Sequence, residues 1–400
     1  MLFTISISVK RICISRNSKF ETGLKINTIV DSAQQQRLYQ VGLTMLPMVG
    51  SVLAKNLLAY CGSAEQVFKM PKSKLEKIPM IGPERAKAIA EAEVLKEAEI
   101  EVKFMEAYNI QPLFFTDEAY PQRLKECADA PLLLYYKGRA NLNAERVVAV
   151  VGTRRVTDYG KEVTRKLIDA LSNSGILVVS GLAYGVDAIA HAAALEAGLD
   201  TVGVLGHGLN TIYPAQNKPM AKRMVEQGGL LTEYKSTDEM SPHNFPNRNR
   251  IVAGMCDATV IVESAVDGGA LLTATIAHSY NRDVFAYPGR VNDKVSAGCN
   301  ALIKSNKATL IESADDLLLA MNWHAGTEEA KSKPRQRQLA LNLSDEERMV
   351  YDYLNEKGET DIDTLTANCE AHSGSLAVVL LEMEMNGLLV SLPGKRYKLL

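Results

Sequence analysis

The sequence lacks the features that mark a membrane protein, a disulfide-stabilised secreted protein or a zinc protein. No apolar run approaches the roughly 18 residues that a membrane-spanning helix needs. The cysteines include no Cys-x-x-Cys pair and no histidine cluster accompanies them, so neither a disulfide framework nor a metal site is indicated. The six cysteines are Cys13, Cys61, Cys127, Cys256, Cys299 and Cys369. This pattern predicts a soluble protein of the reducing cytoplasm.

The chain also has almost no net charge. Lys and Arg total 45 and Asp and Glu total 47, a formal charge of −2, which by itself gives no indication of a nucleic-acid partner. The charges are unevenly distributed, however. Residues 391–400 carry three basic residues and no acidic residue, and Phe245–Arg250 (FPNRNR) is also purely basic. Local basic patches are therefore compatible with the overall balance.

The composition is that of a globular protein with more than one domain. The 400 residues are 46% hydrophobic and 23% charged, which argues against a disordered chain, and the length predicts two to three domains. Residues 1–30 place their apolar stretch before the first charges, the wrong order for a secretory signal. We expect a disordered leader or miscalled start at 1–30, a helical domain at 31–108, an α/β domain at 109–322, a polar linker at 323–340 and a winged-helix domain at 341–400.

An internal repeat lies in the predicted helical domain. Leu46–Ala54 (LPMVGSVLA) and Ile78–Ala86 (IPMIGPERA) align position for position. In each copy, an apolar residue and Pro end one helix, Gly permits the positive φ of a tight turn, and Ala starts a helix that packs closely on its partner. This arrangement is the helix-hairpin-helix pattern, so we expect two copies of it.

The repeat predicts a secondary contact with DNA. Backbone amides beside Gly50 and Gly82 can hold a DNA phosphate without reading its sequence. Met48 and Met80 stand where Gly is more usual. A helical hairpin that only packs against the next domain therefore stays open as the alternative.

The region between Gly138 and Gly298 predicts a parallel sheet. It holds 17 of the 27 glycines, interleaved with apolar runs that are typical of buried strands. The predicted strands are 147–151, 176–180, 201–205, 258–263 and 283–287, and the predicted helices are 160–174, 187–197, 217–227 and 269–281. Alternating strands and helices with short connections favour a parallel sheet with helices on both faces.

Three Gly-rich turns follow the first three predicted strands. They are Gly152-Thr153-Arg154, Ser180–Asp187 and Gly206-His207-Gly208. Ligands of open parallel sheets bind at the carboxyl ends of the strands, where helix N-termini supply free N–H groups. We therefore predict an anion-binding pocket at this edge of the sheet.

Basic and aromatic residues near these turns point to single-stranded nucleic acid. Arg154 and Arg155 follow the first turn, and Phe245–Arg250 precede a later predicted helix. Arg forks pair with phosphates, and an aromatic ring can stack on an unpaired base. The first turn reads GTRRVTDYG rather than GxGxxG, and no acidic residue closes the second strand, so the NAD fingerprint is absent and no cofactor is expected.

The acidic residues and the histidine near the turns are better explained by structural roles. Asp187 and His191 lie four residues apart on a predicted helix, where capping and packing are the simpler interpretation than an acid–base pair. Glu263 and Asp267-Gly268-Gly269 are treated in the same way, because no nucleophile or metal set accompanies them. We therefore expect no enzymatic activity.

The C-terminal region predicts a winged helix. Three helical segments, 343–356, 361–368 and 373–386, precede two short strands around Pro393-Gly394. Such a domain can place its third helix in DNA. That helix has almost no basic face, however, which favours a protein-docking module over a DNA reader.

Together these motifs resemble those of the DNA-processing protein A family (DprA, also called Smf). The matching stretches cover almost half of the chain. They are AYPQRL at 119–124, PLLLYYKG at 131–138, VVGTR at 150–154, SGLAYGVDA at 180–188 with His191, Tyr213-Pro214, FPNRNRI at 245–251, Pro288-Gly289 and GCNALI at 298–303. Two sites depart locally from the family pattern: Gly268-Gly269 replaces Ser-Gly, and Lys307-Ala308 replaces Gly-Ala.

The resemblance implies an α/β fold, an extended Rossmann-like parallel sheet with variable helix-hairpin-helix (all-α) and winged-helix domains at its ends. It implies a cytoplasmic, non-enzymatic mediator without membrane association that forms a homodimer and binds single-stranded DNA. Such a mediator loads RecA onto DNA coated by single-strand-binding protein, as in natural transformation. We expect DNA or phosphate contacts at Gly152, Thr153, Arg154, Ser180, Gly181, Gly185, Gly206, Phe245, Arg248, Asn249 and Arg250.

Two other functions compete with this interpretation. A Rossmann-like nucleotide phosphoribohydrolase has a similar pocket, but it needs a PGGxGT motif and an acidic residue on the following helix. Here the comparable helix start reads DGGALLT, with no Glu through Asn281, which disfavours hydrolysis. A double-strand repair adaptor with an inert core is the third hypothesis, and deletion of the terminal domains would test it.

Overall fold

The structure, a computed structural model, describes residues 32–172, 174–323, 343–369, 373–386, 388–392 and 396–399. The chain divides into two compact units, residues 1–325 and 326–400. The predicted leader and all of the predicted linker except Trp323 lie outside the described residues. None of the described helices is long and apolar enough to cross a bilayer. The five described cysteines are free thiols.

Six helices form the N-terminal part of the first unit. They are α1 Ser32–Thr44, α2 Ser51–Cys61, α3 Ala64–Lys69, α4 Lys72–Leu75, α5 Gly82–Ala90 and α6 Leu95–Tyr108. The two repeat copies become the turns that lead into α2 and α5. The side chain of Asn56 on α2 donates to the carbonyl of Pro79 at 2.7 Å and so joins the two copies.

The repeat turns differ in two respects from the sequence-based expectation. The left-handed backbone lies at Met48 (φ 61°) and Met80 (φ 68°), with Gly82 (φ 64°) also left-handed in the second copy. Helices α2 and α5 begin before the repeat alanines, Ala54 and Ala86, which are buried within them. Each methionine therefore adopts the conformation for which glycine is usual, and its side chain projects into solvent.

The sheet of the first unit contains nine strands in the order β1-β2-β6-β5-β4-β3-β7-β8-β9. The strands are β1 Gln111–Phe114, β2 Leu133–Gly138, β3 Arg146–Val151, β4 Ile176–Ser180, β5 Thr201–Val204, β6 Gly229–Thr232, β7 Ala258–Ile261, β8 Asp283–Ala286 and β9 Thr309–Leu310. Strand β2 pairs antiparallel with β1 and β6, and the other pairs are parallel. The predicted parallel sheet is confirmed, and its five predicted strands are extended by β1, β2, β6 and β9.

Helices cover both faces of this sheet. They are α7 Gln122–Lys125, α8 Asp158–Ala170, α9 Val186–Glu196, a 3₁₀ turn at Ala215–Asn217, α10 Lys218–Gln227, α11 Asn244–Gly254, α12 Gly269–Ser279, α13 Ala297–Lys304 and α14 Ala314–Ala320. One apolar layer holds residues of α11, α12 and α13, and the other holds residues of α8, α9 and α14. The basic segment Phe245–Arg250 lies inside α11, so the prediction that it precedes a helix was wrong.

The strand order places a topological switch at β3. The chain leaves β3 through α8 to β4 on one side, whereas β7 pairs on the other side of β3. Helices that leave neighbouring strands for opposite faces open a crevice at the carboxyl ends of those strands. The turns after β3, β4 and β7 consequently meet at one edge of the sheet.

The second unit is a winged helix, as predicted. It contains α15 Asp345–Lys357, β10 Thr360–Asp361, α16 Ile362–Asn368, α17 Ser373–Met385, β11 Leu389–Leu392 and β12 Arg396–Leu399. The strands form an antiparallel sheet in the order β10-β12-β11. Its core includes Val350, Leu354, Leu365 and Met383. The predicted turn residues Pro393 and Gly394 lie outside the described residues.

Candidate nucleic-acid interface

A cleft of about 460 Å³ lies at the carboxyl edge of the sheet, where the turns after β3, β4 and β7 meet. It brings together most of the residues that the sequence pointed to. The predicted residues that line it are Gly152, Thr153, Arg154, Gly181, Phe245, Arg248 and Asn249. Parallel strands bring these distant segments together because their carboxyl ends share one edge.

The turns around the cleft pack so closely that three positions require glycine. A Cβ atom at Gly152 would lie 2.5 Å from the side chain of Val186, and one at Gly181 would lie 2.1 Å from the Arg248 guanidinium. Gly185 has a φ of 79°, and its Cβ would lie 2.2 Å from the carbonyl oxygen of Thr153. The glycines therefore allow the turns and the guanidinium to approach one another.

The turn amides make internal hydrogen bonds, contrary to the expectation that they are free for an anion. The amide of Thr153 donates to the carbonyl of Glu263 at 2.7 Å. The amides of Gly181 and Ala183 donate to the Asp187 carboxylate at 3.1 and 3.3 Å. At these positions the amides hold the turns in shape, so the cations of the cleft are its main means of binding an anion.

Arg248 lies at the bottom of the cleft and is 4% exposed. Its Nη1 donates to the carbonyl of Val204, while its Nε has no hydrogen-bond partner among the described residues. Burial lowers the pKa of this guanidinium, and the negative charge of Asp187 opposes that shift. Burial raises the pKa of Asp187 in turn, against the influence of Arg248 and of the turn amides. Arg248 thus places a positive charge at the bottom of the cleft, although its unpartnered Nε is itself buried.

The rim of the cleft carries exposed cations and an aromatic ring. Arg154 and Arg155 are exposed and form no ion pair with any residue in the described part of the chain. The ring of Phe245 lies over Gly206, whose Cβ would be 2.9 Å away, and its centroid is 5.7 Å from that of Tyr213. Exposed guanidinium groups beside an aromatic ring suit a chain of phosphates and bases.

The start of α12 completes the cleft, and sequence reasoning had assigned it only a structural role. Gly268, Gly269 and Ala270 line the cleft at the N-terminal end of this helix. The first amides of a helix have no partner within the helix and carry a partial positive charge. The sequence did contain a signal for this part of the cleft, because the Gly268-Gly269 pair follows β7 at the same edge of the sheet.

Four of the predicted contact residues lie outside the cleft lining. Ser180 donates its hydroxyl to the carbonyl of Val150 at 2.6 Å, and Gly206 lies beneath Phe245. Gly185 lines a neighbouring depression. Arg250 forms an ion pair with Glu233, and its side chain is 19% exposed. Of the two arginines of FPNRNR, Arg248 therefore lines the cleft and Arg250 pairs with Glu233.

The candidate catalytic groups of the hydrolase hypothesis are held in structural interactions. His191 is buried, contacts the hydroxyl of Thr201 through Nδ1 at 2.7 Å, and does not line the cleft. Burial lowers the pKa of His191 to about 3, so this imidazole is neutral at physiological pH. Glu263 is buried and accepts from the amide of Thr157 at 3.0 Å and from its hydroxyl. Only Asp187 of the three faces the cleft.

The helical domain contacts the segment that leads into α11. The buried carboxylate of Glu101 on α6 accepts from the amide of Ser236 at 3.0 Å and from its hydroxyl at 2.5 Å. Lys235 pairs with Glu97 at 3.0 Å. These bonds join the helical domain to the segment that leads to Arg248.

The glycines of the repeat turns border open space. A Cβ at Gly50 or Gly82 would meet nothing within 4 Å.

Comparison with protein families identifies two matching regions. Residues 111–322 match the family described as DNA recombination-mediator protein A. Residues 333–395 match the DprA winged helix domain. The first match spans all nine strands of the sheet, and it includes every residue that lines the cleft.

Individual relatives agree with these matches. Protein Smf of Synechocystis is 31% identical over 402 residues, which cover 92% of this chain and 99% of the relative. The DNA processing protein DprA of Streptococcus pneumoniae is 41% identical over 202 residues, which cover 50% of this chain and 71% of the relative. The crystal structure of the pneumococcal protein superimposes with a TM-score of 0.61 at 32% identity, covering 71% of this chain and 97% of that one.

Proposed function

The chain belongs to the DNA recombination-mediator protein A family, and from this premise we propose that it binds single-stranded DNA in the cleft at the carboxyl edge of the sheet. We propose further that it acts in the cytoplasm as a homodimer that loads RecA onto DNA coated by single-strand-binding protein, as in natural transformation. In this proposal the protein is not an enzyme.

The observation that carries the DNA-binding part is the arrangement of cations in the cleft. Exposed Arg154 and Arg155 lie at the rim, the buried Arg248 lies below them with an unpartnered Nε, and Phe245 stands beside them. Phosphates can pair with the guanidinium groups while an unpaired base stacks on the ring. A concave cleft at a sheet edge suits a flexible single strand better than a stiff duplex. We assign phosphates to Arg154 and Arg248, and none to Arg250, which is paired with Glu233.

The first test compares single-stranded and double-stranded oligonucleotides by fluorescence anisotropy over a range of salt concentrations. We expect tighter binding of the single strand and an affinity that falls steeply with salt as counterions are released. Arg154→Ala should lower the log–log salt slope by about 0.7 because one phosphate contact is lost. Arg165→Ala is the matched control, since Arg165 is exposed on α8 and does not line the cleft.

Two results would contradict this binding site. Equal affinity for both DNA forms would indicate that the repeat turns around Gly50 and Gly82, and not the cleft, bind the DNA. If Arg154→Ala and Arg165→Ala both bind with the wild-type salt slope, the Arg154 guanidinium does not lie in the interface.

The mediator part of the proposal is supported by family membership, and it needs its own assay. RecA strand exchange is measured on DNA coated with single-strand-binding protein, with and without this protein. We expect stimulation of strand exchange, and we expect Arg154→Ala to reduce it in parallel with its loss of DNA affinity. Light scattering of the purified protein measures the proposed dimer. Strand exchange that is unchanged by the protein would refute the mediator role.

The nucleotide phosphoribohydrolase is the alternative, and release of base from nucleoside monophosphates distinguishes it. Hydrolysis requires a positioned base for water, and among the three candidates only Asp187 faces the cleft, where it already accepts two amide hydrogen bonds. We expect no release of base. Release that disappears in Asp187→Ala or Glu263→Ala, without stimulation of strand exchange, would favour the hydrolase.

A further inference from the structure

A second, shallower depression shares a boundary with the cleft. Its volume is about 570 Å³, and we call it the Tyr184 shelf. Its lining residues are Arg154, Arg155, Val156, Tyr184, Gly185, Ala188 and Ile189. Arg154 and Arg155 line both the cleft and the shelf. The two guanidinium groups therefore form a ridge that separates a deep cationic cleft from an open shelf.

Tyr184 is the aromatic residue of this shelf. Its side chain is 39% exposed, and it makes no hydrogen bond, ion pair or ring contact with any residue in the described ranges. Two other tyrosines are anchored through their hydroxyls: Tyr120 donates to the carbonyl of Pro131 at 2.7 Å, and the exposed Tyr159 donates to the carbonyl of Pro288 at 2.9 Å. The Tyr184 ring is thus available to a ligand along its exposed side.

The backbone that carries Tyr184 is held firmly in place. The amides of Gly181 and Ala183 donate to Asp187, and the amide of Val186 donates to the carbonyl of Thr153 at 3.2 Å. Gly185, the next residue, packs directly against that carbonyl. These bonds fix the turn that presents the ring beside the arginine ridge. A platform that is already ordered loses little conformational entropy when a ligand binds.

The chemistry of the shelf matches a nucleobase. Val156 and Ile189 provide half-buried apolar surface next to the ring, and Arg154 and Arg155 provide cations at the edge. A nucleobase has an apolar aromatic face that stacks on tyrosine, and its own phosphate extends toward neighbouring cations. The shelf itself lacks an acidic residue among its lining residues, so nothing there repels that phosphate.

We propose that the Tyr184 shelf is a base-stacking subsite, in which Tyr184 stacks on the base of a nucleotide next to those whose phosphates lie in the cleft. The strand then crosses the Arg154–Arg155 ridge, with phosphates on the guanidinium groups and bases on both sides. This inference rests on the proposed function, because it assumes that the cleft binds single-stranded DNA. Stacking recognises any base, so the subsite adds affinity without sequence preference.

The test uses oligothymidylate and an abasic oligonucleotide of the same length. Stacking of one base on an aromatic side chain predicts that Tyr184→Ala weakens oligothymidylate binding about five- to 150-fold. The salt slope should stay at the wild-type value, because no phosphate contact is lost. Tyr184→Phe should retain the affinity. On the abasic oligonucleotide, Tyr184→Ala and the wild type should bind alike.

Two controls separate this inference from the proposed function. Tyr108→Ala removes a tyrosine that is 54% exposed on α6, outside both the cleft and the shelf, and it should bind as the wild type does. Arg154→Ala should lower the salt slope for both oligonucleotides.

The outcomes are then distinct. If Arg154→Ala weakens binding while Tyr184→Ala binds oligothymidylate normally, or loses affinity equally on the abasic strand, the stacking subsite is wrong and the proposed function stands. If the wild type shows no preference for single strands and Arg154→Ala has no effect, the proposed function itself fails.

Discussion

Replacing Gly181 with alanine is expected to weaken DNA binding by displacing Arg248, without unfolding the protein. Gly181 follows β4, and the Arg248 guanidinium lies directly against its Cα. An alanine Cβ would lie 2.1 Å from Nη1 and 2.5 Å from Cζ of Arg248. Ordinary contact between such atoms needs about 3.5 Å, so the guanidinium has to move by roughly 1.4 Å.

The size of the effect follows from what that movement breaks. The guanidinium donates to the carbonyl of Val204 and has an unpartnered Nε. A hydrogen bond to a charged group contributes about 1.5–3 kcal/mol, so loss of one phosphate contact weakens binding roughly 10- to 150-fold. Overpacking of a buried site lowers the free energy of unfolding by about 1–3 kcal/mol. The variant should therefore fold, with a lower melting temperature, and bind single strands poorly.

A double-mutant cycle tests whether the effect passes through Arg248. Binding by anisotropy and unfolding by urea are measured for Gly181→Ala, Arg248→Ala and the double variant. Because both changes remove the same contact, the double variant should bind no more weakly than Arg248→Ala alone. Gly269→Ala is the matched control, since it also places a methyl group in the cleft lining but its Cβ meets nothing within 4 Å.

If Gly181→Ala binds single strands with wild-type affinity and salt slope, Arg248 does not contact a phosphate. If Gly269→Ala weakens binding as much as Gly181→Ala does, the loss comes from crowding of the cleft and not from the arginine.

Three further changes probe the scaffold. Burial lowers the pKa of His191 to about 3, so between about pH 6.5 and pH 3 the unfolded state binds a proton that the folded state does not, and stability falls as the pH falls. In urea unfolding, the wild type should lose about 2 kcal/mol more than His191→Asn between about pH 7.5 and pH 5; parallel losses would contradict this. Glu101→Ala leaves the half-buried amide and hydroxyl of Ser236 without their acceptor and should lower the free energy of unfolding by about 1–3 kcal/mol. As the control, replacement of the exposed Glu99 with alanine should change the free energy of unfolding by under about 0.5 kcal/mol. Equal effects of Glu101→Ala and Glu99→Ala would exclude the Glu101 hydrogen bonds as the cause. Gly185→Ala forces a side chain onto a φ of 79° with its Cβ 2.2 Å from a backbone oxygen, and it should cost about 1–3 kcal/mol or more by the same assay; a melting temperature equal to that of the wild type would show that the turn relaxes freely.

The parallel core of the sheet was predictable because its strands are continuous apolar runs, and such runs are typical of strands buried on both faces. Three of the four missed strands, β1, β6 and β9, are short or interrupted. Strand β9 has two residues, and β1 contains Pro112. Strand β6, Gly229–Thr232, has only four residues after a glycine, and its place between β2 and β5 depends on pairing with distant segments. Pairing between distant segments leaves no periodic signal in a local window.

The site was predictable to the extent that it depends on strand ends, and unpredictable where it depends on helix geometry. The segment FPNRNR was predicted to precede a helix, yet it lies inside α11, with Pro246 in the first turn, where its missing N–H costs little. Once the segment is helical, Arg248 and Arg250 are two positions apart and point to different sides of the helix. Arg248 therefore reaches the cleft and Arg250 reaches Glu233. A correct helix boundary would have separated the two arginines from sequence alone.

The apolar core of the helical domain continues into the sheet, and this limits how the protein can be dissected. Val102 and Met105 of α6 belong to the same buried cluster as Leu133 and Tyr135 of β2. A truncated protein that begins after α6 would expose that side of β2 to water, and it would be prone to aggregate at the bared strand. Failure of such a fragment to bind DNA would thus report misfolding rather than a lost DNA contact. The winged helix, by contrast, has its own core around Leu354 and Leu365 in a separate compact unit. Point changes at Gly50 and Gly82 are consequently the sound way to ask what the repeat turns contribute.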